Sequence, residues 1–298
     1  MRAAYHVRHL TVYDSLSPVT LCHNQIRLTP RTLPAQRCLD WRVQIDPEPT
    51  RQSRWVDAFG NEVLYASIEQ PHRQLRIEAS SRVERLVEEI PHPADSLPWE
   101  QVVERLSGGG DPVDRRAELF RGASPFIPLL VEAREYAWPS FTPGRPLLDA
   151  VFELTDRIHR DFRYTPASTG LTTTTREVLE RRCGVCQDFA HLQINCLRSL
   201  GLAARYVSGY LRTDPPPGQP RLVGADASHA WISVYSPGQG WIDFDPTNNC
   251  IPAERHLTIG WGRDYSDIAP VKGVYIGGFG QSIQVAVDVE LLAEGVAS

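Results

Sequence analysis

A cysteine at the start of a predicted helix is the residue in this sequence best placed to act as a nucleophile. Cys186 opens an apolar run of helical period that extends to Leu200, and Gly201 then suits a left-handed helix cap. Free N–H groups and the helix dipole at such an end favour negative charge, and the thiolate is the nucleophilic form of cysteine. Because buried structural cysteines are also common in helices, Cys186 alone does not establish catalysis.

Two predicted strands downstream carry groups that could serve a thiol as base and as orienting partner. Alternating apolar residues on both sides of a Pro-Gly turn predict a β-hairpin over 229–245. If Tyr235 lies opposite Trp241, His229 and Asp245 share one face of the ladder as diagonal neighbours, roughly 7 Å apart. A carboxylate can reach an imidazole over that separation, so the spacing predicts a His229–Asp245 couple.

Asp243 lies on the same face but closer to the turn, opposite Ser233, so Asp245 is the better candidate. The residues therefore predict a catalytic set in chain order: Cys186 as nucleophile, His229 as base and Asp245 as the group that orients the imidazole.

The Cys-x-x-Cys spacing of Cys183 and Cys186 leaves a redox pair or half a zinc site open as alternatives. Such a redox pair usually opens a helix of a βαβ unit, which the surrounding sequence does not resemble. A zinc site needs two more ligands, but Cys196 lies about 280° further around the helix, and His191 and Cys250 have no companion pair. We expect no metal and no cofactor, and no Asp-rich loop has calcium-site spacing.

Other polar residues have simpler expected roles. His191, inside the helix, is expected to pack or hydrogen-bond, and Asp188 in the first turn to complement the helix dipole. Asp226 could bind substrate or a cation, or could cap a loop. The three histidines of the N-terminal strands are expected to have no ligand role: His6, His9 and His72.

Three stretches of different character predict an α+β protein of three parts. Short period-two runs separated by turn residues predict an antiparallel β-sandwich over residues 1–90. Frequent prolines and a Gly-Gly-Gly joint predict a helical connector over 91–146. An apolar helical stripe, a capping-box spacing at 174–177 and later strands predict a catalytic core over 147–298.

Composition excludes several classes of protein. The chain has 298 residues, 42% hydrophobic and 22% charged, as in a folded globular protein. A net charge of −5 argues against a nucleic-acid or anionic-membrane partner. Without a signal-peptide or spanning apolar run, we expect a cytoplasmic location. Six cysteines are too sparse for a disulfide scaffold.

Three ordered sequence blocks resemble the signature blocks of bacterial transglutaminase-like proteins. They are GVCQDFAHL at 184–192, SHAW at 228–231 and GWIDFDPTN at 240–248. The flanks at 162–164, 172–179, His256 and 262–265 agree with that family, and the opening strands are similar to its β-rich N-terminal region. The resemblance covers nearly the whole chain.

The resemblance implies a papain-like or transglutaminase-like core, in which the cysteine helix packs on an antiparallel sheet. It implies acyl transfer on a carboxamide or peptide bond of a peptide or protein substrate, through a thioester on Cys186. The backbone N–H of Cys186 would meet the oxyanion, and Tyr164 is the candidate second donor. Trp231 and its hairpin neighbours Tyr235 and Trp241 could line the cleft or could equally belong to the core. Hydrolysis is favoured; transamidation and a non-catalytic binding role are the alternatives.

Overall fold

The chain forms an antiparallel β-sandwich and a helical core with its own antiparallel sheet, as the predicted α+β class requires. The computed structural model describes residues 2–86, 90–109, 112–166, 170, 173–214 and 227–292. Asp226 and Thr172, which the sequence singled out, lie outside these ranges. Part of the Gly-Gly-Gly joint, Gly110, lies outside them as well.

The sandwich is built around one long strand, which serves two layers. The register of this strand shifts between Asp14 and Val19, so its first part pairs with one neighbour and its second part with another. Alternating apolar residues of the two layers meet in a shared core, as period-two patterning dictates. The strands of this region are β1 (Arg2–Ile26), β2 (Gln36–Asp46), β3 (Arg51–Val56), β4 (Glu62–Ile68) and β5 (His72–Leu86), in the order β2-β5-β1-β4-β3.

The proline-rich connector packs into the helical core instead of standing apart from it. Val102, Leu106 and Ala133 from this stretch are buried in the same apolar cluster as the helices that follow. In the described ranges, no helix has the length and apolar content needed to cross a membrane. The helices up to this point are α1 (Trp99–Ser107), α2 (Pro112–Ala117), α3 (Val131–Ala137) and α4 (Leu147–Asp161).

Two local sequence signals define the helices around the cysteine. Thr174 and Glu177 form the predicted reciprocal capping box at the start of α5 (Thr175–Arg181). Gly201 has φ +87° and ends α6 (Cys186–Ser199), also as predicted. Two short strands, β6 (Arg163–Tyr164) and β7 (Cys183–Gly184), pair in parallel just before α6.

A second sheet packs against α6 and carries the predicted hairpin. Tyr235 lies opposite Trp241, so the predicted register is confirmed. The sheet order is β10-β9-β8-β11. Its strands are β8 (Ala204–Leu211), β9 (Ala227–Ser236), β10 (Gly240–Phe244) and β11 (His256–Gly262).

The end of the described chain returns to the sandwich. After the short helix α7 (Tyr265–Ile268), strands β12 (Val271–Gly277) and β13 (Ser282–Leu292) both pair with β1. The division into 1–90, 91–146 and 147–298 stays a prediction. Strand pairing nevertheless places 271–292 in the sandwich, although the sequence pattern assigned these residues to the core.

The sandwich and the core sheet share a packed interface. Buried apolar side chains from β1, β5 and β13 meet buried side chains from β8 and β11 in one cluster. The Tyr210 hydroxyl of β8 also hydrogen-bonds Nδ1 of His9 in β1, at 3.0 Å. This junction fixes the sandwich as one wall beside the core sheet.

Gly209 should be intolerant of a side chain. It lies opposite His229 in the β8–β9 pair, and a Cβ there would be 2.2 Å from the Leu257 carbonyl oxygen and 2.4 Å from the Trp231 ring. We expect Gly209→Ala to lower the free energy of unfolding by about 1–3 kcal/mol, because backbone and a buried ring must both move. Chemical denaturation measures this change.

Gly122→Ala is the matched control, because its added Cβ would meet no atom within 4 Å. Its free energy of unfolding should stay within about 0.5 kcal/mol of the parent value. Equal stability of the two variants would contradict the packing described for Gly209.

Candidate active site

The turn before α6 fixes Cys186 at the first position of the helix. The backbone N–H of Val185 donates to Oδ2 of Asp188 at 2.8 Å, so Asp188 satisfies the helix end, consistent with its predicted first-turn role. Gly184 is needed here because a Cβ at this position would lie 2.8 Å from the Asp188 Cβ. The Gly-Val-Cys-x-Asp spacing thus positions the Cys186 thiol at the N-terminal end of α6.

The structure brings the three predicted residues together. Nε2 of His229 lies 2.7 Å from Oδ2 of Asp245, and Cys186 lies near enough to the same imidazole to raise its pKa and faces the same cavity. An ionised carboxylate can only accept, so Nε2 carries the proton and Nδ1 is left to face the sulfur. Asp243, the second choice, instead accepts from the Trp231 indole at 3.0 Å.

Further hydrogen bonds hold the Asp245 carboxylate, which is fully buried. The backbone N–H groups of Thr247 and Asn248 donate to Oδ1 at 2.9 and 3.2 Å. The Asn248 side-chain amide donates to Oδ2 at 2.7 Å, and Nε2 of His256 lies 3.0 Å from the same oxygen. Both carboxylate oxygens are therefore fixed before the carboxylate orients His229.

Sequence reasoning did not assign roles to Asn248 and His256. The Asp-Pro-Thr-Asn order is typical of an Asx turn, in which an aspartate accepts from backbone N–H groups two residues on, so Asn248 had a usable local signal. His256 comes from β11, two strands away from β9 in the sheet, and no local spacing links it to Asp245.

The electrostatics of the cluster favour a charged imidazole. Burial acts to lower the pKa of His229, but its hydrogen bonds to Asp245 and Cys186, together with their negative charges, raise it from 6.5 to about 10. Burial acts to raise the pKa of Asp245, but hydrogen bonds from His229, His256 and Asn248 hold it well below its usual range. At neutral pH the Asp245–His229 couple is therefore a carboxylate beside an imidazolium.

His229, Asp245 and His256 also form a group whose ligand atoms lie within 4.8 Å of one another, as a metal site would require. Both imidazole Nε2 atoms, however, lie at hydrogen-bonding distance from a single oxygen of Asp245. They reach that oxygen as N–H donors, so their lone pairs are not directed at a shared vacant point. The geometry describes a hydrogen-bonded cluster and not a ligand set.

Cys186 and His229 face a cavity of about 300 Å³, which we call the catalytic pocket. Its core side includes Tyr206 and Ser228, next to the reactive pair. The opposite wall comes from the sandwich, through side chains of β1 and β13: His9, Thr11, Tyr13, Ile283 and Val285. A substrate entering this pocket would contact both parts of the protein.

The two remaining predicted site residues lie away from the pocket surface. Tyr164 is half-exposed and pairs with Gly184, and burial and the charge of Cys186 raise its pKa, but it does not line the catalytic pocket. Trp231 has no exposed surface, because its ring packs edge-on against His256 at 5.3 Å. This position agrees with the core alternative and does not support contact with substrate; the Trp231 ring lies 6.0 Å from the ring of His229.

Tyr206 is a site residue that sequence reasoning missed. It lies on β8, lines the catalytic pocket and is 3% exposed. Burial and then the negative charge of Cys186 raise the pKa of its phenol well above 10. Its hydroxyl is therefore a protonated donor beside the sulfur. A lone tyrosine in an apolar strand carried no signal of this role.

His191 and the remaining cysteines have structural settings. His191 is buried, stacks on Phe126 and accepts a hydrogen bond from the Tyr265 backbone at 3.2 Å, which confirms its expected packing role. All six cysteines lie in the described ranges and are free thiols. Cys196 is buried within α6, which raises its pKa to about 12.

Comparisons with known proteins agree with this architecture. Residues 5–84 match the model of the bacterial transglutaminase-like N-terminal region, and residues 139–246 match that of the transglutaminase-like superfamily. An uncharacterised protein of Mycobacterium tuberculosis is 43% identical over 294 residues, covering 96% of this chain and 92% of that protein. A protein-glutamine gamma-glutamyltransferase of Pseudomonas aeruginosa is 35% identical over 97 residues, covering 32% of this chain and 14% of that protein.

A solved structure has the same fold over nearly the whole chain. A candidate cysteine protease from Cytophaga hutchinsonii superposes with a TM-score of 0.77 at 20% identity, covering 99% of this chain and 92% of that one. The chain therefore belongs to the bacterial transglutaminase-like proteins, with the β-rich N-terminal region of that family followed by a transglutaminase-like core.

Proposed function

We propose that this protein is a cysteine-dependent acyl-transfer enzyme that hydrolyses a carboxamide or peptide bond. The observation that carries the proposal is the His229–Asp245 hydrogen bond beside Cys186, with Cys186 and His229 both facing an open pocket. Family membership supports a cysteine-dependent enzyme. A binding protein without catalysis would have no need for this ordered set of charges beside a cavity.

The chemistry follows from the protonation states. The Cys186 thiolate attacks the carbonyl carbon, and the C–N bond breaks as the His229 imidazolium gives its proton to the departing nitrogen. Ammonia or an amine leaves, and a thioester remains on Cys186. Neutral His229 then takes a proton from water as the water oxygen attacks the thioester. The acid product leaves, and the thiolate–imidazolium pair is restored.

Asp245 keeps His229 working through both steps. Because the carboxylate holds Nε2–H, Nδ1 stays directed at the sulfur and at the leaving group. The bonds from His256 and Asn248 prevent the carboxylate from rotating away. Asp245, His256 and Asn248 are thus positioning residues, which act through His229 and do not meet the reacting atoms.

The oxyanion needs donors other than His229. At the first position of α6 the backbone N–H of Cys186 has no intrahelical acceptor, and we assign it as one of them. Of the two candidate tyrosines, Tyr206 lines the catalytic pocket, whereas Tyr164, the residue predicted from the sequence, does not. We assign the second donor to the Tyr206 hydroxyl.

Hydrolysis and transamidation share the thioester and differ only in what attacks it. The catalytic pocket opens to solvent, so water reaches the thioester without a dedicated site. The name of the Pseudomonas aeruginosa relative favours transamidation as the second candidate.

Incubating the enzyme with glutamine-containing peptides, with and without a primary amine, separates hydrolysis from transamidation by mass spectrometry. Deamidation or cleavage supports hydrolysis; amine incorporation supports transamidation; no change with a library of such peptides contradicts both.

Cys186 should be alkylated at a pH where ordinary thiols are not. Because the pKa of His229 is raised to about 10, its imidazolium lies beside Cys186 at pH 6, and Cys186 should react with iodoacetamide there. His229→Ala should lower its labelling rate at least tenfold. Peptide mapping after labelling measures Cys186 separately from the other thiols. Equal rates in the parent and the variant would contradict the pairing of sulfur and imidazole.

Tyr206→Phe should lower kcat about 100-fold with little change in KM, because loss of one oxyanion donor acts on the transition state. Iodoacetamide labelling of Cys186, which forms no oxyanion, should be unchanged. Tyr164→Phe is the matched control and should stay within about threefold of the parent. A larger loss of kcat in Tyr164→Phe than in Tyr206→Phe would assign the second oxyanion donor to Tyr164 instead.

A further inference from the structure

A second cavity, which we call the apolar cavity, lies between the sandwich and the core beside the catalytic pocket. Its volume is about 420 Å³, within the range of small-molecule and side-chain binding sites. Val19 of β1 and Leu75 of β5 line it from the sandwich. Phe126 lines it from the core side, and Val274 and Tyr275 of β12 lie at its mouth.

The apolar cavity and the catalytic pocket are parts of one groove. Tyr13, Tyr265 and Val271 line both. A ligand held against Cys186 can therefore extend past these three side chains into the apolar cavity. Continuity with the reactive pair indicates substrate as the occupant.

The two tyrosines at the junction can hold a peptide backbone. In the described part of the chain, neither the Tyr13 nor the Tyr265 hydroxyl has a hydrogen-bond partner. Burial, with a smaller contribution from Tyr265, raises the pKa of Tyr13 to about 12, and burial raises that of Tyr265 as well. Both hydroxyls are protonated donors, as the carbonyl groups of an extended peptide require.

The apolar cavity combines an apolar lining with a basic rim. Val274 and Tyr275 are 68% and 52% exposed, which leaves large apolar surface facing solvent next to the cavity. Arg73 and Lys272 also line the cavity, and neither forms an ion pair with any residue that the structure describes. Such a rim is complementary to a carboxylate.

We propose that the apolar cavity is a substrate side-chain site, which takes an aromatic or large aliphatic residue next to the reacting one, with a carboxylate beyond it facing Arg73 and Lys272. This inference rests on the proposed function and names its substrate class. The preferred substrate is a peptide with the order reacting residue, large apolar residue, acidic group.

The test uses capped peptides in which glutamine has a neighbouring Phe, Leu or Ala, on either side, followed by Glu, Gln or Lys. The parent enzyme should turn over the peptide with Phe and Glu with kcat/KM at least tenfold above that of the peptide with Ala and Glu, as apolar pockets discriminate. In the peptide with Phe, Lys in place of Glu should also lower kcat/KM. Equal values across the set would overturn the proposal.

Val274→Asp places a charge at the mouth of the apolar cavity on an exposed residue, so the fold should be kept. It should remove the preference for Phe over Ala mainly through KM. Ile276→Asp is the matched control: it lies on the same strand, is 61% exposed and does not line the apolar cavity. Lys272→Gln should weaken only the preference for Glu over Lys. An equal effect of the two Asp variants on all peptides would overturn the proposal.

A binding measurement separates this inference from the proposed reaction. Calorimetric titration of the Cys186→Ala protein with the Phe and Glu peptide should show binding that Val274→Asp weakens at least tenfold. Binding of this kind without turnover by the parent would contradict the reaction and keep the site. Turnover by the parent without side-chain preference would support the reaction and contradict the proposed side-chain site. If sedimentation shows that Val274→Asp alone changes the oligomeric state, the surface around Val274 is a contact between copies of the chain. That result would overturn the substrate assignment.

Discussion

The site depends on one buried carboxylate. Asp245 is fully enclosed, and a buried charge costs several kcal/mol unless donors surround it. Its donors come from three places in the chain: His229 on β9, the turn that holds Thr247 and Asn248, and His256 on β11. The carboxylate is stabilised only when the whole core sheet is in register. Formation of the sheet therefore aligns the His229 imidazole with Cys186, which lies on a separate helix.

The sandwich contributes the other half of the cleft. Because β12 and β13 pair with β1, the end of the described chain is tied to its beginning. The packed interface between the sandwich and the core sheet then holds β1 and β13 against the reactive pair. The sandwich thereby forms the wall of the catalytic pocket that lies opposite Cys186 and His229.

Local patterns predicted the parts of the site that lie close together in sequence. Helix-end residues identified Cys186, the capping box at Thr174 is present, and strand parity alone paired His229 with Asp245. Non-local partners could not be found this way, because neither the closeness of Tyr206 to the sulfur nor the return of β12 to β1 has a signature in neighbouring residues. Strand parity also placed Trp231 on the same face as His229. The sequence pattern could not show that the Trp231 ring is buried there, because its burial depends on close packing against Gly209 of the neighbouring strand.

The charge state of His229 tests the central claim most directly. Nuclear magnetic resonance of 15N-labelled imidazole at pH 7.5 distinguishes imidazolium from neutral imidazole. We predict imidazolium for His229 in the parent, since its pKa is raised to about 10, and a smaller imidazolium fraction in Asp245→Asn, where burial lowers the pKa and only Cys186 remains to offset it. A neutral His229 in the parent, or an equal imidazolium fraction in the parent and the variant, would contradict the account.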